Sequence, residues 1–277
     1  MYRLVALDID GTVLDSRGEI RPRVLAAVGR AIQAGVAVTL ATGRRWRAAR
    51  DIARRLGIRV PVILYNGALV LDPARESVLL ERPLPPDAAL DAMRHLERHG
   101  LPVYVCRHAP SGPDLFWLGE PACPEATYFR EGPRGHARPL EDVASAAGFE
   151  VLKVFTLDLE ARVRPAATET PRWLGVPLRS LLCPDIPGHS LLEYWRWGTD
   201  KGSALEFLAH RLGVRRSEIV AVGDNWNDME MIDFAGLGVA MANAVPELRQ
   251  RADLVTASND EDGVAAVLER YVLGEVA

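Results

Sequence analysis

Asp8 and Asp10 stand two residues apart in Leu4-Val5-Ala6-Leu7-Asp8-Ile9-Asp10-Gly11-Thr12, directly after an apolar run and directly before a glycine. An Asp-Gly pair is ordinary turn chemistry. That does not account for Asp8, whose side chain at strand periodicity points to the same side as that of Asp10. Two neighbouring carboxylates repel and raise the pKa of one of them. The pair asks for a cation or a shared proton.

Other polar residues follow apolar runs in the same way. Thr42 and Gly43 come after Val36-Ala37-Val38-Thr39-Leu40, Asn66 after Val62-Ile63-Leu64-Tyr65, and Asp224, Asn227 and Asp228 after Ile219-Val220-Ala221-Val222. Lys201 lies in the first turn of a helical stretch, where free N–H groups and the positive end of the helix dipole favour an anion. Singly, Thr42, Asn66 and Lys201 also suit structural work in caps and turns. Together these residues offer oxygen ligands to a hard cation, and hydroxyl, amide, ammonium and backbone donors to phosphate oxygens. Magnesium suits that donor set.

The elements that must position them can be read from periodicity. Val24, Leu25, Val28 and Ile32 recur at helical spacing and stop at Gly35, and a second helical stretch runs from Trp46 to Leu56. With the apolar runs between, this is strand, helix, strand, helix, strand, the pattern of a parallel sheet with helices on its faces. After Glu81 the pattern changes to a Pro-rich entry, a helix through His99 and strand-like stretches at 103–105, 115–118 and 151–157. From Gly198 the first pattern returns. The expected fold is therefore α/β, a doubly wound parallel sheet formed by 1–82 and 191–277, with an α+β domain inserted at 83–190. In open parallel sheets ligands bind outside the carboxyl ends of the strands, where the polar residues lie.

Asp8-Ile9-Asp10-Gly11-Thr12, Ala41-Thr42-Gly43-Arg44, Lys201-Gly202 and Gly223-Asp224 through Asn227-Asp228 resemble, in this order, the four motifs of the haloacid dehalogenase superfamily of phosphatases. Tyr65-Asn66-Gly67-Ala68 and Ala240-Met241-Ala242-Asn243-Ala244 are similar to signatures of its Cof-type subgroup, which carries a large α/β cap. The resemblance runs from Leu4 to about Asn243 and leaves only the cap interior uncovered. It implies that Asp8 is the nucleophile that becomes an aspartyl-phosphate, and that Asp10 is the general acid and then base. It also implies that Thr42, Gly43, Lys201 and Asn227 hold the phosphoryl oxygens. Magnesium would be held by Asp8 and Asp224, by the backbone carbonyl of Asp10, and by Asp228 as ligand or orienting group. The substrate expected is a small phosphorylated metabolite, a sugar phosphate before others, with the cap acting as a lid.

Before Lys201 the chain departs from the family pattern. It reads Leu192-Glu193-Tyr194-Trp195-Arg196-Trp197-Gly198-Thr199-Asp200 in place of a strand, a Pro or Gly turn and a small residue. Trp195, Trp197 and Trp226 either pack the junction or wall a substrate pocket. Arg130, Arg134, His136 and Arg138 form a basic loop, solvated or facing an anionic substrate. His95, His99, His108, His189 and His210 show no ligand spacing and receive no role.

Composition narrows the rest. The 277 residues are 48% hydrophobic and 25% charged, with 33 basic against 37 acidic residues and a net charge of −4, so the basic footprint of nucleic-acid binding is missing. Three separated cysteines, Cys106, Cys123 and Cys183, form neither a disulfide framework nor a zinc pattern. No apolar run approaches the roughly 18 residues of a membrane span and strand-like sequence begins at Arg3, so a cytoplasmic, unexported protein is expected. The sequence leaves the oligomeric state open. Two alternatives stand beside the hydrolase: a sugar phosphomutase or other phosphotransferase, and a receiver-like phosphoacceptor module.

Overall fold

The computed structural model describes residues 1–121, 123, 126–127, 137–173, 178–186 and 188–275. Its strands, in chain order, are β1 (Leu4–Leu7), β2 (Ala37–Leu40), β3 (Val62–Leu64), β4 (Leu69–Asp72) and β5 (Ser77–Glu81). They continue with β6 (Val103–Arg107), β7 (Leu115–Leu118), β8 (Ala137–Pro139), β9 (Val151–Leu159), β10 (Leu178–Ile186) and β11 (His189–Arg196). The last three are β12 (Ile219–Gly223), β13 (Leu237–Ala240) and β14 (Leu254–Val255). The chain forms two compact units, 1–81 with 200–277, and 82–199.

In the first unit five strands lie in the order β14-β13-β12-β1-β2, all parallel. Every residue of β1 and β12 is buried, which is why both read as unbroken apolar runs: parallel strands covered on both faces have no polar side to alternate with. The connection from β1 runs to β2 on one side, while the chain from β12 continues to β13 on the other. Leu7 pairs with Val222 and with Leu40, so Asp8, Gly223 and Ala41 emerge side by side where the strand order reverses. A ligand site is expected at such a switch point.

One strand departs from the sequence reading. β3 belongs to a separate antiparallel sheet, β3-β4-β5, and meets the parallel sheet through a single parallel bridge, Ala41 with Ile63. Pro61 has no N–H to give a ladder, and the Thr39 hydroxyl donates to its carbonyl instead at 2.6 Å. The antiparallel return is made by Tyr65, Asn66 and Gly67, all at positive φ (50°, 55° and 96°).

The second unit holds a six-stranded sheet in the order β10-β11-β9-β6-β7-β8, antiparallel except for β7 with β8. Helices Pro86–Arg98 and Glu160–Trp173 belong to it. Its core joins Ala88, Met93 and Leu96 to Val105, Val154 and Tyr194. The boundary expected at 190/191 falls instead at 199/200. β11 pairs on one edge with β9 and on the other with β10, and a strand bonded on both edges cannot leave its sheet. This also places the aromatic stretch: Trp195 is buried and its indole N–H donates to the Thr199 carbonyl at 2.6 Å, whereas Trp197 is 67% exposed. Of the basic loop, Arg130, Arg134 and His136 lie outside the described residues.

Helix Lys201–Leu212 opens with a reciprocal cap. The Asp200 carboxylate accepts from Ser203 N at 2.7 Å and the Ser203 hydroxyl accepts from Asp200 N at 3.2 Å. Because Lys201 is the first helical residue, this cap sets where its side chain starts. Asp200→Ala is expected to cost about 1 kcal/mol of stability in urea unfolding and to lower kcat by more than that loss predicts. Unchanged kcat would separate the cap from the placement of Lys201.

Candidate active site

The candidate site is organised by a turn, a helix start and a second turn. After β1 the backbone makes a wide turn in which Leu14 N–H donates to the Ile9 carbonyl at 2.9 Å. Asp10 is extended (φ −81°, ψ 120°) and Gly11 is left-handed (φ 76°). A Cβ on Gly11 would lie 2.3 Å from Asp224 Oδ2, so glycine serves both the turn and the close approach of that carboxylate. The side chains of Asp8 and Asp10 thereby part company.

Asp8 turns inward. Its N–H donates to the Val222 carbonyl at 3.0 Å, and its Oδ1 accepts from Lys201 Nζ at 2.6 Å. Lys201, fully buried, also donates to Asp228 Oδ1 at 2.6 Å. The other oxygen of Asp228 accepts the backbone N–H groups of Asp224 (2.9 Å) and Asn225 (3.0 Å). Asp224 receives the Thr12 hydroxyl on Oδ1 at 2.8 Å. Carboxylate oxygens of Asp8, Asp224 and Asp228 all lie within 4.8 Å of one another.

Asp10 turns outward. Its side chain is 59% exposed and takes a two-pronged pair from Arg44, Nε to Oδ2 at 2.8 Å and Nη2 to Oδ1 at 2.5 Å. The remaining predicted residues adjoin this frame. Thr42 is buried, with its hydroxyl accepting Arg44 N at 3.1 Å and its carbonyl accepting Asn66 N at 3.0 Å. A Cβ on Gly43 would fall 2.8 Å from Asn66 Oδ1, and that oxygen accepts from Asn227 Nδ2 at 2.9 Å. Trp226 is half-buried in the same turn.

Three polar partners are not among the expected site residues: Thr12, Arg44, and Asn243, whose Nδ2 donates to the Gly11 carbonyl at 2.8 Å. Thr12 and Arg44 sit inside motifs already singled out. The contact of Asn243 with Gly11 spans 232 positions, and no local pattern carries it.

Charge does not balance here. Three carboxylates face one ammonium, which leaves an ionised cluster negative. Burial alone would push the Lys201 ammonium down, but Asp228 and Asp8 outweigh it and hold its pKa above the usual lysine value. Burial is also the main cause pushing the Asp8 carboxyl well up, against the pull of Lys201, with Asp228, Asp224 and Asp10 adding to the rise. Asp224 is pushed up to about 7, first by burial and then by Asp228, against the Thr12 hydrogen bond and Lys201. Asp8 Oδ2 and Asp224 Oδ2 accept no hydrogen bond among the described residues. A hard divalent cation taking those two oxygens fits an all-oxygen donor set and the negative surplus.

A model of the haloacid dehalogenase-like hydrolase family matches residues 5–268. The chain belongs to that family. Within it the chain falls in the Cof-type group of subclass IIB, and it is a phosphatase of the haloacid dehalogenase type. It is 31% identical to the HMP-PP phosphatase of Serratia proteamaculans over 90% of this chain and 87% of that one. It is 26% identical to the pyridoxal phosphate phosphatase YbhA of Escherichia coli over 98% and 99%. Among solved structures, a haloacid dehalogenase-like hydrolase from Bacteroides thetaiotaomicron superposes with a TM-score of 0.81 at 26% identity, covering 98% of this chain and 99% of that one. Its fold is the same: a parallel core sheet with an inserted mixed-sheet cap. No described helix is long and apolar enough to cross a membrane.

The raised carboxyls set a pH dependence. A carboxyl whose pKa is higher folded than unfolded binds its proton more tightly when folded, so without a cation it favours the fold at low pH and loses that contribution as pH rises through about 7 for Asp224. A bound cation reverses this by stabilising the ionised form. The rise in Tm on replacing EDTA by magnesium is therefore expected to be larger at about pH 8 than at about pH 5.5. Equal rises at both would contradict the electrostatic account.

Proposed function

We propose that the chain hydrolyses small phosphorylated metabolites through an aspartyl-phosphate on Asp8, with magnesium as its metal. The observation that carries this reading is Lys201 held between Asp8 and Asp228 in a fully buried position. That contact fixes Asp8 by one oxygen and leaves Oδ2 without a hydrogen bond among the described residues. A carboxylate is a weak nucleophile, and alignment together with neutralisation of the phosphoryl charge supplies most of its help.

In the first step Asp8 bonds to phosphorus through the carboxylate oxygen that does not hold the cation, as the ester P–O bond breaks, and the departing alcohol takes a proton from Asp10. In the second, Asp10 accepts a proton from water as its oxygen bonds to phosphorus, and the bond to Asp8 breaks to release inorganic phosphate. Lys201, the Thr42 hydroxyl, Gly43 and Asn227 hold the phosphoryl oxygens, where in-line displacement concentrates charge. Asp8 and Asp224, with the Asp10 carbonyl, would hold the magnesium ion, whose charge neutralises phosphoryl oxygens. Asp228 has both oxygens engaged, so its part is to orient Lys201 and the turn. Before it can serve the leaving group, Asp10 must part from Arg44.

Substrates are small. The two relatives are named for HMP-PP and for pyridoxal phosphate, and sugar phosphates remain in the range we propose. Screening both groups with magnesium, while following both phosphate release and phosphorylated products, identifies the substrate and tells hydrolysis from transfer.

Asp8→Asn is expected to lower kcat by more than about a thousandfold, because it removes the nucleophile and a metal ligand together. Near wild-type phosphate release by that variant would end this mechanism. Asp10→Asn should slow alkyl phosphates more than aryl phosphates in the first half-reaction, since a poor leaving group depends more on the acid. Equal single-turnover slowing of the two would remove Asp10 from that role.

A further inference from the structure

A second group of ligand-type side chains lies in the other unit, apart from the phosphatase chemistry and independent of it: His95, His99 and Glu169. His95 is in the last turn of helix Pro86–Arg98 and His99 is its C-cap. Four residues apart, their rings share one face, with centroids 4.8 Å apart. Glu169 comes from the helix Glu160–Trp173, and its Oε2 lies 3.0 Å from His99 Nε2. A ring nitrogen of each histidine and a Glu169 oxygen all fall within 4.8 Å of one another. In sequence the two histidines carry no sign of a site, because the third member stands 70 positions from His99.

An exposed ion pair would account for His99 and Glu169. It does not account for a second imidazole, itself 2% exposed, against the same pair. His95 Nε2 lies 2.9 Å from the Ala166 carbonyl, one turn before Glu169 on the same helix. A carbonyl only accepts, so Nε2 carries the proton of the neutral ring and the lone pair belongs to Nδ1. Metal-binding histidines are held in this manner, with the other N–H on a backbone carbonyl. Burial falls from His95 through half-buried His99 to exposed Glu169, which gives an ion an approach from solvent.

We propose that His95, His99 and Glu169 form a binding site for a divalent transition-metal ion, zinc by its donors, that ties the two helices of this unit together. Two imidazoles and one carboxylate with a fourth position left to water is a zinc-type set, and imidazole excludes magnesium as the natural occupant. The exposed Glu169 side chain has room to close to a zinc–oxygen distance of about 2.0–2.2 Å.

The test is a cobalt(II) titration of the full chain in excess magnesium, which occupies oxygen sites, read by visible d–d absorption and by calorimetry. One equivalent of cobalt is expected to give the intense bands of a low-coordinate, nitrogen-containing site, and zinc is expected to abolish them. Because His95 is buried and its replacement risks the fold, the variants are His99→Gln and Glu169→Gln, with far-UV circular dichroism to verify folding. Each should weaken binding at least about tenfold. No low-coordinate spectrum in the wild type, or an unchanged spectrum and affinity in both folded variants, overturns the proposal.

Discussion

A lysine ammonium with no exposure to solvent is the constraint around which the core is arranged. Removing such a charge from water costs several kcal/mol, and only close, well-aligned opposite charges recover it. Lys201 has two, Asp8 and Asp228, each at 2.6 Å. They stand 193 and 27 positions from it in sequence. The end of β1, the start of helix Lys201–Leu212 and the turn after β12 must therefore meet at one point. Loss of either carboxylate would leave a buried charge partly unpaired, an error worth about 3–5 kcal/mol. The same contacts that make the fold specific hold Asp8, the proposed nucleophile, by one of its oxygens.

The backbone around this triad is shaped to admit it. Gly11 gives up its Cβ so that Asp224 can approach, and a Cβ on Gly223 would lie 2.5 Å from the Asp228 carboxyl carbon. Asp228 in turn accepts two backbone N–H groups that its own turn leaves unbonded, so the turn and the lysine anchor are fixed by one side chain. Tyr65 and Asn66, at positive φ without being glycine, carry a local strain that such conformations persist with only when the surroundings enforce them. The bond from Asn227 and the close seat of Gly43 beside Asn66 supply that enforcement.

How legible all this was in the sequence follows from the range of each interaction. Residues at the ends of buried parallel strands announce themselves, because a polar side chain directly after an unbroken apolar run marks the point where the chain leaves the core. Asp8, Thr42 and Asp224 were readable on that ground. Lys201 was readable from the helix it opens. The engagement of both Asp228 oxygens was not, since it depends on the dihedral angles of a turn. The Arg44 pair with Asp10 depends likewise on which way Gly11 sends the chain. β3 reads as a full member of the parallel sheet because apolar content says that a strand is buried and says nothing of its partners: it runs parallel to the core at its one bridge, Ala41 with Ile63, and pairs otherwise with β4. The expected boundary at 190/191 cuts β11 for a related reason: the two neighbours that keep the strand in the second sheet, β9 and β10, are visible only in the pairing.

The two carboxylates that open the chain's first motif are separated by environment and by direction. Asp8 lies in a buried, net-negative cluster with one ammonium, and Asp10 faces solvent against a guanidinium. Enzymes that assign different work to two like groups do so by giving them different surroundings, and here one left-handed glycine achieves the division within three residues. The arrangement also explains why Asp8, the proposed nucleophile, rather than Asp10 carries the electrostatic demand for a cation. Asp8 shares its burial with Asp224 and Asp228, and Lys201 offsets only part of their charge. Asp10, outside that cluster, already has its counter-charge in Arg44, so a cation entering the site is drawn to the buried carboxylates and not to the side chain of Asp10.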